Sequence, residues 1–188
     1  GAVGRQVALQ LAAMGIGWLQ LIDHDQVEES NIASQGYCEE DLGRPKVDAT
    51  ARACWRINRG LHIHTAYERF KRSSDIGDTI FCCVDSIETR RLIWESVKDR
   101  CRFFCDGRMS AEVLRVLTEC GQARRENYPN TLFAAGEAYA GSCTAKTTIY
   151  CANIAAGIML AQFTKWLRGF PVEADVQLNL LSDQKSVV

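Results

Sequence analysis

"LQLIDHDQVEESN", residues 19–31, begins as an apolar strand and breaks at Asp23 into acids and amides. Carboxylates at a strand's carboxyl end stand where open α/β sheets bind their ligands. Upstream, residues 5–14 place Val7, Leu11 and Met14 beside Ala8 and Ala12, a helical stripe that stops at Gly15. Downstream, residues 46–58 follow Pro45 and read as helix, and 61–67 alternate as a strand. "TIFCCV", residues 79–84, is the unbroken apolar run of a strand covered on both faces. A helix over 87–100 and a short strand over 102–105 follow. This alternation predicts an α/β, Rossmann-like doubly wound, mainly parallel sheet. Beyond residue 106 the rhythm changes to an antiparallel strand over 112–119, an irregular excursion over 121–140, an apolar helix over 147–167 and a last strand over 176–181, so the C-terminal strands are expected to be antiparallel.

The chain has 188 residues and a formal charge of -1. That length suits one domain, and the charge excludes holding nucleic acid or a membrane by bulk electrostatics. Residues 149–163, the longest apolar candidate, are broken by Asn153 and Gly157 and fall short of the ~18 residues a bilayer span requires. Nine cysteines without a single C-x-x-C pair predict free thiols in a reducing cytoplasm and no structural zinc.

Gly1 and Gly4 open the first helix with G-x-x-G spacing. Glycine lets backbone approach a phosphate, toward which the free amides of a helix N-terminus point. Asp23 follows at about the ~20-residue interval expected of an acid that receives ribose hydroxyls. The first glycine and the strand of a complete G-x-G-x-x-G loop would precede residue 1, so residues 1–188 are expected to be a single nucleotide-binding domain cut from a longer protein.

"LIDHDQVEESNIASQ", then "DLGRPKVDATARACWRINRGLHI" and "CCVDSIETR", carry a family resemblance. In this order they resemble the LxDxDxVxxSNLxRQ, GxPK and DNxxxR segments of the ThiF/MoeB and ubiquitin-activating adenylyltransferases. The resemblance implies ATP- and Mg²⁺-dependent activation of the C-terminal carboxylate of a ubiquitin-like or sulfur-carrier protein, and a homodimer. It places Gly1 and Gly4 against the nucleotide phosphates, Asp23 on the ribose, Asn31 and Lys46 on the phosphates and Asp85 on magnesium. Arg90 matches the arginine of the third segment and takes a catalytic role there. Cys143, in "GSCTAKTTIY", resembles the family's acceptor thiol, which holds the carrier as a thioester, with Lys146 nearby to favour the thiolate. Carboxylate attack on an α-phosphate gathers negative charge on phosphoryl oxygens, so lysine, arginine and Mg²⁺ are the chemistry such a site needs.

The sequence departs from the pattern at Ser34, where the family has arginine, and at Ser86, where it has asparagine. Arg44 is the neighbouring candidate to replace the missing cation. Plainer readings stand beside these: Lys46 as a solvated helix-start lysine, Asp85 as a helix cap, Cys143 and Cys151 as buried hydrophobes, His62 and His64 as surface residues, and Phe163, Trp166 and Leu167 as packing. Two other functions compete with adenylation. One is a noncatalytic partner subunit that keeps the fold; the other is a nicotinamide-dependent oxidoreductase, which accounts for neither the GRPK segment nor Asp85.

Overall fold

The computed structural model describes residues 1–121, 127–132 and 148–187. In chain order these form α1 (Ala2–Ala13), β1 (Trp18–Ile22), α2 (Glu29–Gln35), α3 (Lys46–Ile57), β2 (His62–Ala66), β3 (Thr79–Cys82), α4 (Ile87–Val97), β4 (Phe103–Ser110), β5 (Val113–Glu119), a 3-10 turn (Tyr128–Thr131), α5 (Ile149–Leu167), β6 (Asp175–Asn179) and β7 (Gln184–Val187). The α/β class is as expected. The described strands fall into two sheets: β1 pairs with β2 in parallel, and β3-β4-β5-β6-β7 form a second sheet. In that second sheet only β3–β4 is parallel, and β5 to β7 add antiparallel strands.

α1 spans both sheets because its apolar positions occupy two faces. Ala8 and Ala12 pack with Leu19, Leu21 and Cys54, while Val3, Val7 and Leu11 pack with Phe103 and Cys105 of β4 and with Ala152, Ala155, Ala156 and Met159 of α5. Three alanines at helical spacing let α1 and α5 approach closely. On the opposite face of β4, Phe104 meets Trp94 of α4 and Tyr128, with ring centroids 4.8–5.0 Å apart. The sequence reading of Phe163 and Trp166 as packing holds, since both rings lie against Phe103. Among the described residues no helix is long and apolar enough to cross a membrane.

β4 runs well past the predicted 102–105, through Asp106, Gly107 and Arg108 to Ser110. It then turns into β5 through Ala111, whose φ of 50° supplies the left-handed turn without a glycine. Gly107 is required by packing: a Cβ there would stand 2.5 Å from Met159 Sδ and 3.2 Å from Val3 Cγ1. Gly107→Ala is expected to cost about 1–3 kcal/mol by overpacking. A lowered urea midpoint, recovered in part by a second Met159→Ala change, would check it.

Candidate functional site

The carboxyl end of β1 and the amino end of α1 meet directly. The Gly1 nitrogen lies 3.1 Å from Asp23 Oδ2, while Asp23 Oδ1 accepts the Asp25 amide at 3.0 Å and fixes the turn that follows. A Cβ at Gly4 would lie 3.3 Å from Cys83 Cβ. Gly4 therefore sets how closely α1 crosses β3, and with it the distance from the helix amides to Asp85, two residues beyond Cys83.

Lys46 begins α3, and a short ladder brings it back to the β1 tip. Gln26 bridges Pro45, the Val27 amide donates to Arg44 O at 2.9 Å and the Lys46 amide to Asp25 O at 2.9 Å. Its side chain is not solvated: Lys46 is 7% exposed, with Nζ 2.9 Å from Asp25 Oδ2. The hydrogen bond from Lys46 holds the half-exposed Asp25 carboxyl below its ordinary 3.8, against a smaller opposing effect of burial. A depressed carboxyl favours the folded state at pH above 3.8, and that contribution fades as the pH falls through the lower folded value. NMR titration should place Asp25 below 3.8 in the wild type, and Lys46→Met should raise it.

Asp85 is exposed, and among the described residues its carboxylate has no hydrogen bond or ion pair. Nor does it cap α4, because Ser86 does so, its Oγ accepting the Thr89 amide at 3.3 Å. A free carboxylate beyond the end of β3 fits Mg²⁺, which takes one or two protein carboxylates and fills its shell with phosphate oxygens and water. Asp23, His24 and Asp25 also bring potential ligand atoms within 4.8 Å of one another. Asp25, however, is already committed to Lys46.

The remaining expected residues are placed differently. Asn31 is buried in the first turn of α2, where its Oδ1 accepts the Glu28 amide at 3.0 Å and its Nδ2 reaches Ser30 Oγ at 3.3 Å. Its visible work is to cap α2, leaving only the amide nitrogen to offer a phosphate. Ser34 Oγ turns back onto Ser30 O at 2.6 Å. Arg44 is exposed and donates from Nε to Glu40 O at 3.1 Å, so it does not stand in for the cation missing at Ser34. Arg90 is buried, ion-paired to Asp106 and bonded to the Val84 and Gly107 carbonyls. That makes it an anchor for the Val84–Asp85 turn, the place from which its expected catalytic role would be exerted. Cys143 and Lys146 lie outside the described residues. Cys151 is buried, which raises its pKa and suits the packing reading, whereas His62 and His64 are exposed.

Sequence reading passed over three contributors. Asp25 stood in the quoted stretch without a role, Arg5 sat within an apolar helical stripe, and Gly107 fell between the expected strands over 102–105 and 112–119. The D-x-D alternation was the available signal for Asp25; nothing local marked the other two.

Gly1, Asp23, Asp25 and Lys46 thus form one chain of contacts that continues through Gly4 and Cys83 to Asp85. They stand at the carboxyl end of β1 and the openings of α1 and α3, in a Rossmann-like α/β frame. A sequence model of the ThiF family matches residues 1–185, and the chain belongs to that family. It is 32% identical over 122 residues, 62% of this chain, to the adenylyltransferase and sulfurtransferase MOCS3 of Drosophila willistoni. It is 30% identical over 109 residues, 55% of the chain, to the SAMP-activating enzyme E1 of Haloferax volcanii. The matched segments span only 26% and 39% of those relatives. The crystal structure of E. coli MccB with AMPCPP and MccA superposes with a TM-score of 0.79 at 16% identity, covering all of this chain and 60% of MccB; at that identity the likeness is one of fold.

Proposed function

We propose that the chain is the nucleotide-binding part of an ATP-dependent adenylyltransferase that activates the C-terminal carboxylate of a ubiquitin-like or sulfur-carrier protein. The observation that carries this reading is the buried Lys46 held by Asp25 across the β1 tip, supported by an exposed Asp85 carboxylate with no partner among the described residues, two residues beyond the Cys83 that Gly4 faces. In the reaction one carboxylate oxygen of the carrier bonds to the α-phosphorus of ATP. The bond from that phosphorus to the bridging oxygen breaks, and pyrophosphate leaves with its electron pair.

The amides of Gly1 and its neighbours lie against the phosphates, Asp23 takes the ribose hydroxyls and Asn31 Nδ2 reaches a phosphate oxygen. Lys46 Nζ, held in place by Asp25, meets the charge that grows on the phosphoryl oxygens. Asp85 would hold Mg²⁺, which would supply charge neutralisation beside the phosphates. Arg90 fixes the Asp85 turn from behind. Cys143 is the proposed acceptor thiol, attacking the acyl carbon and releasing AMP. The names of MOCS3 and the SAMP-activating enzyme support the class of substrate, and MccB with AMPCPP supports the nucleotide. A cytoplasmic homodimer belongs to the same reading: Cys54, Cys82, Cys105 and Cys151 are buried thiols outside any disulfide, and α5 exposes Tyr150 and Ile154.

ATP–pyrophosphate exchange that needs Mg²⁺ and a carrier ending in a free carboxylate tests it. One observation favours a second reading, the noncatalytic partner subunit: α2 carries serine in place of arginine and Arg44 faces away. Tight carrier binding without exchange would select that reading.

A further inference from the structure

Three buried cationic side chains stand near the proposed crevice, and only two have a carboxylate. Lys46 has Asp25 and Arg90 has Asp106. Arg5 is 5% exposed, in the second turn of α1 just after Gly4, and no acidic side chain among the described residues pairs with it. Its Nε donates to Gly36 O at 3.1 Å, its Nη1 to Thr50 Oγ1 at 3.4 Å, and its guanidinium lies 4.2 Å from the centre of the Tyr37 ring. Tyr37 OH and Thr50 Oγ1, 3.3 Å apart, close the cluster. Carbonyl, hydroxyl and ring offset part of the desolvation of a guanidinium, the most weakly hydrated of the protein cations, but they leave its charge uncancelled.

The three partners have meaningful positions. Gly36 is the left-handed C-cap of α2, a helix without a basic residue in its last turn. The positive charge that a helix C-terminus favours is brought there by α1. Thr50 lies one turn beyond Lys46 on the same face of α3. Arg5 therefore ties together the helix that opens at Gly1, the helix that carries Asn31 and the helix that carries Lys46. Arg5 lies one helical turn from Gly1, where the phosphates are proposed to bind, its amide donating to Gly1 O at 3.0 Å. Burial pushes the Tyr37 phenol up, with Arg5 opposing and Asp23 and Asp41 adding to the rise, so these groups are electrostatic neighbours.

We propose that Arg5 is a positioning residue of the phosphate end of the site: it locks α2 and α3 onto α1, and its uncancelled charge draws the nucleotide's polyphosphate into the crevice. The inference rests on the adenylation reading and deepens it, since it assigns to α1 a cation that α2 and its flanking loop do not provide. A guanidinium held this way acts on a ligand's charge without touching it. Its effect should thus appear in the affinity for ATP more than in the rate of the bound complex.

Arg5→Gln removes the charge and keeps a donor, and Arg5→Lys keeps the charge and loses the fork and the stacking. In pyrophosphate exchange Arg5→Gln is expected to raise the KM for ATP about 10-fold or more with kcat within about twofold, and Arg5→Lys to raise it about threefold or less. The salt dependence of that KM should weaken in the glutamine variant and persist in the lysine variant. Melting temperatures, with and without ATP, give a second readout: added ATP should stabilise wild type and Arg5→Lys and stabilise Arg5→Gln much less. Should both variants melt lower yet bind ATP as tightly as wild type, with unchanged salt dependence, Arg5 is structural and the proposal is overturned. A wild type that neither binds nor turns over ATP overturns the adenylation reading itself, an outcome distinct from failure at Arg5 alone.

Discussion

Lys46→Ala is expected to reduce ATP–pyrophosphate exchange by on the order of 10²–10³, the usual consequence of deleting one preorganised group aimed at developing charge. The size follows from the setting. Lys46 is 7% exposed, its backbone is fixed by the amide bond to Asp25 O, and its ammonium is pre-placed by Asp25 Oδ2, so little reorganisation separates the resting from the working position. Alanine removes the charge and leaves Asp25, half exposed and able to hydrate, facing the phosphates with its negative charge uncompensated. Both changes act against the transition state. Lys46→Arg should recover only part of the loss, because a planar fork does not fit a space shaped for a compact ammonium.

Asp85→Ala should be comparably inactive for a different reason, and the two variants separate by stability. Asp85 has no protein partner among the described residues, so its removal should leave the melting temperature nearly unchanged, as surface substitutions do. Normal exchange in either variant would remove that residue from the mechanism; normal exchange in both would leave the fold and the family without the proposed chemistry.

What the sequence revealed, and what it hid, follows from how local each signal is. β3, α3 and α4 could be read because apolar runs and stripes are written into consecutive residues. β4 could not be read to its end. Its second half, Asp106-Gly107-Arg108, has loop composition, and it stays in a sheet because Arg90 and Tyr128, distant in sequence, satisfy it. α2 escaped notice because its start is an acid–amide capping pair, Glu28 with Asn31, whose residue types also read as ligand groups. β7 is a fully exposed polar edge strand with no hydrophobic period to mark it.

For the proposed site, spacing and resemblance single out Gly1, Gly4, Asp23, Lys46 and Asp85. The pairing of Lys46 with Asp25 depends on the Gln26–Pro45 bridge, which closes a loop of about twenty residues that no local pattern encodes. Arg90 was legible as a motif position but not as a buried one, since its partner Asp106 lies on the neighbouring strand. Arg5 was least legible of all: a cation in the second turn of an apolar helix looks like a solvated residue until α2 and α3 are packed over it.

Asp106→Asn is expected to be the most destabilising single change at a polar residue of the described chain. Asp106 is 0% exposed and answers two cations at once, Arg90 from α4 and Arg108, whose Nε lies 2.7 Å from Oδ2, while the same oxygen accepts from Tyr128 OH at 2.9 Å. Asparagine keeps the shape and removes the charge, leaving Arg90 buried without compensation; breaking a buried pair from one side typically costs about 3–5 kcal/mol. In a chain of this size that corresponds to a fall in melting temperature of roughly 6–20 °C. Tyr128→Phe, which deletes one hydrogen bond and no charge, should cost only about 1 kcal/mol. The consequences are also directional. Arg108 holds Thr131 through O at 2.8 Å and Oγ1 at 2.9 Å, and Arg90 holds the Val84 carbonyl just before Asp85. Losing Asp106 therefore releases both the Tyr128–Thr131 turn and the turn that presents the proposed magnesium ligand. Limited proteolysis should show new cleavage at residues 127–132, and at a temperature where the variant is still folded its ATP–pyrophosphate exchange should fall as well. An Asp106→Asn protein that melts with the wild type and resists protease as well would show that the two arginines need no shared counter-ion, and the account of Arg90 as the anchor of Asp85 would fall with it.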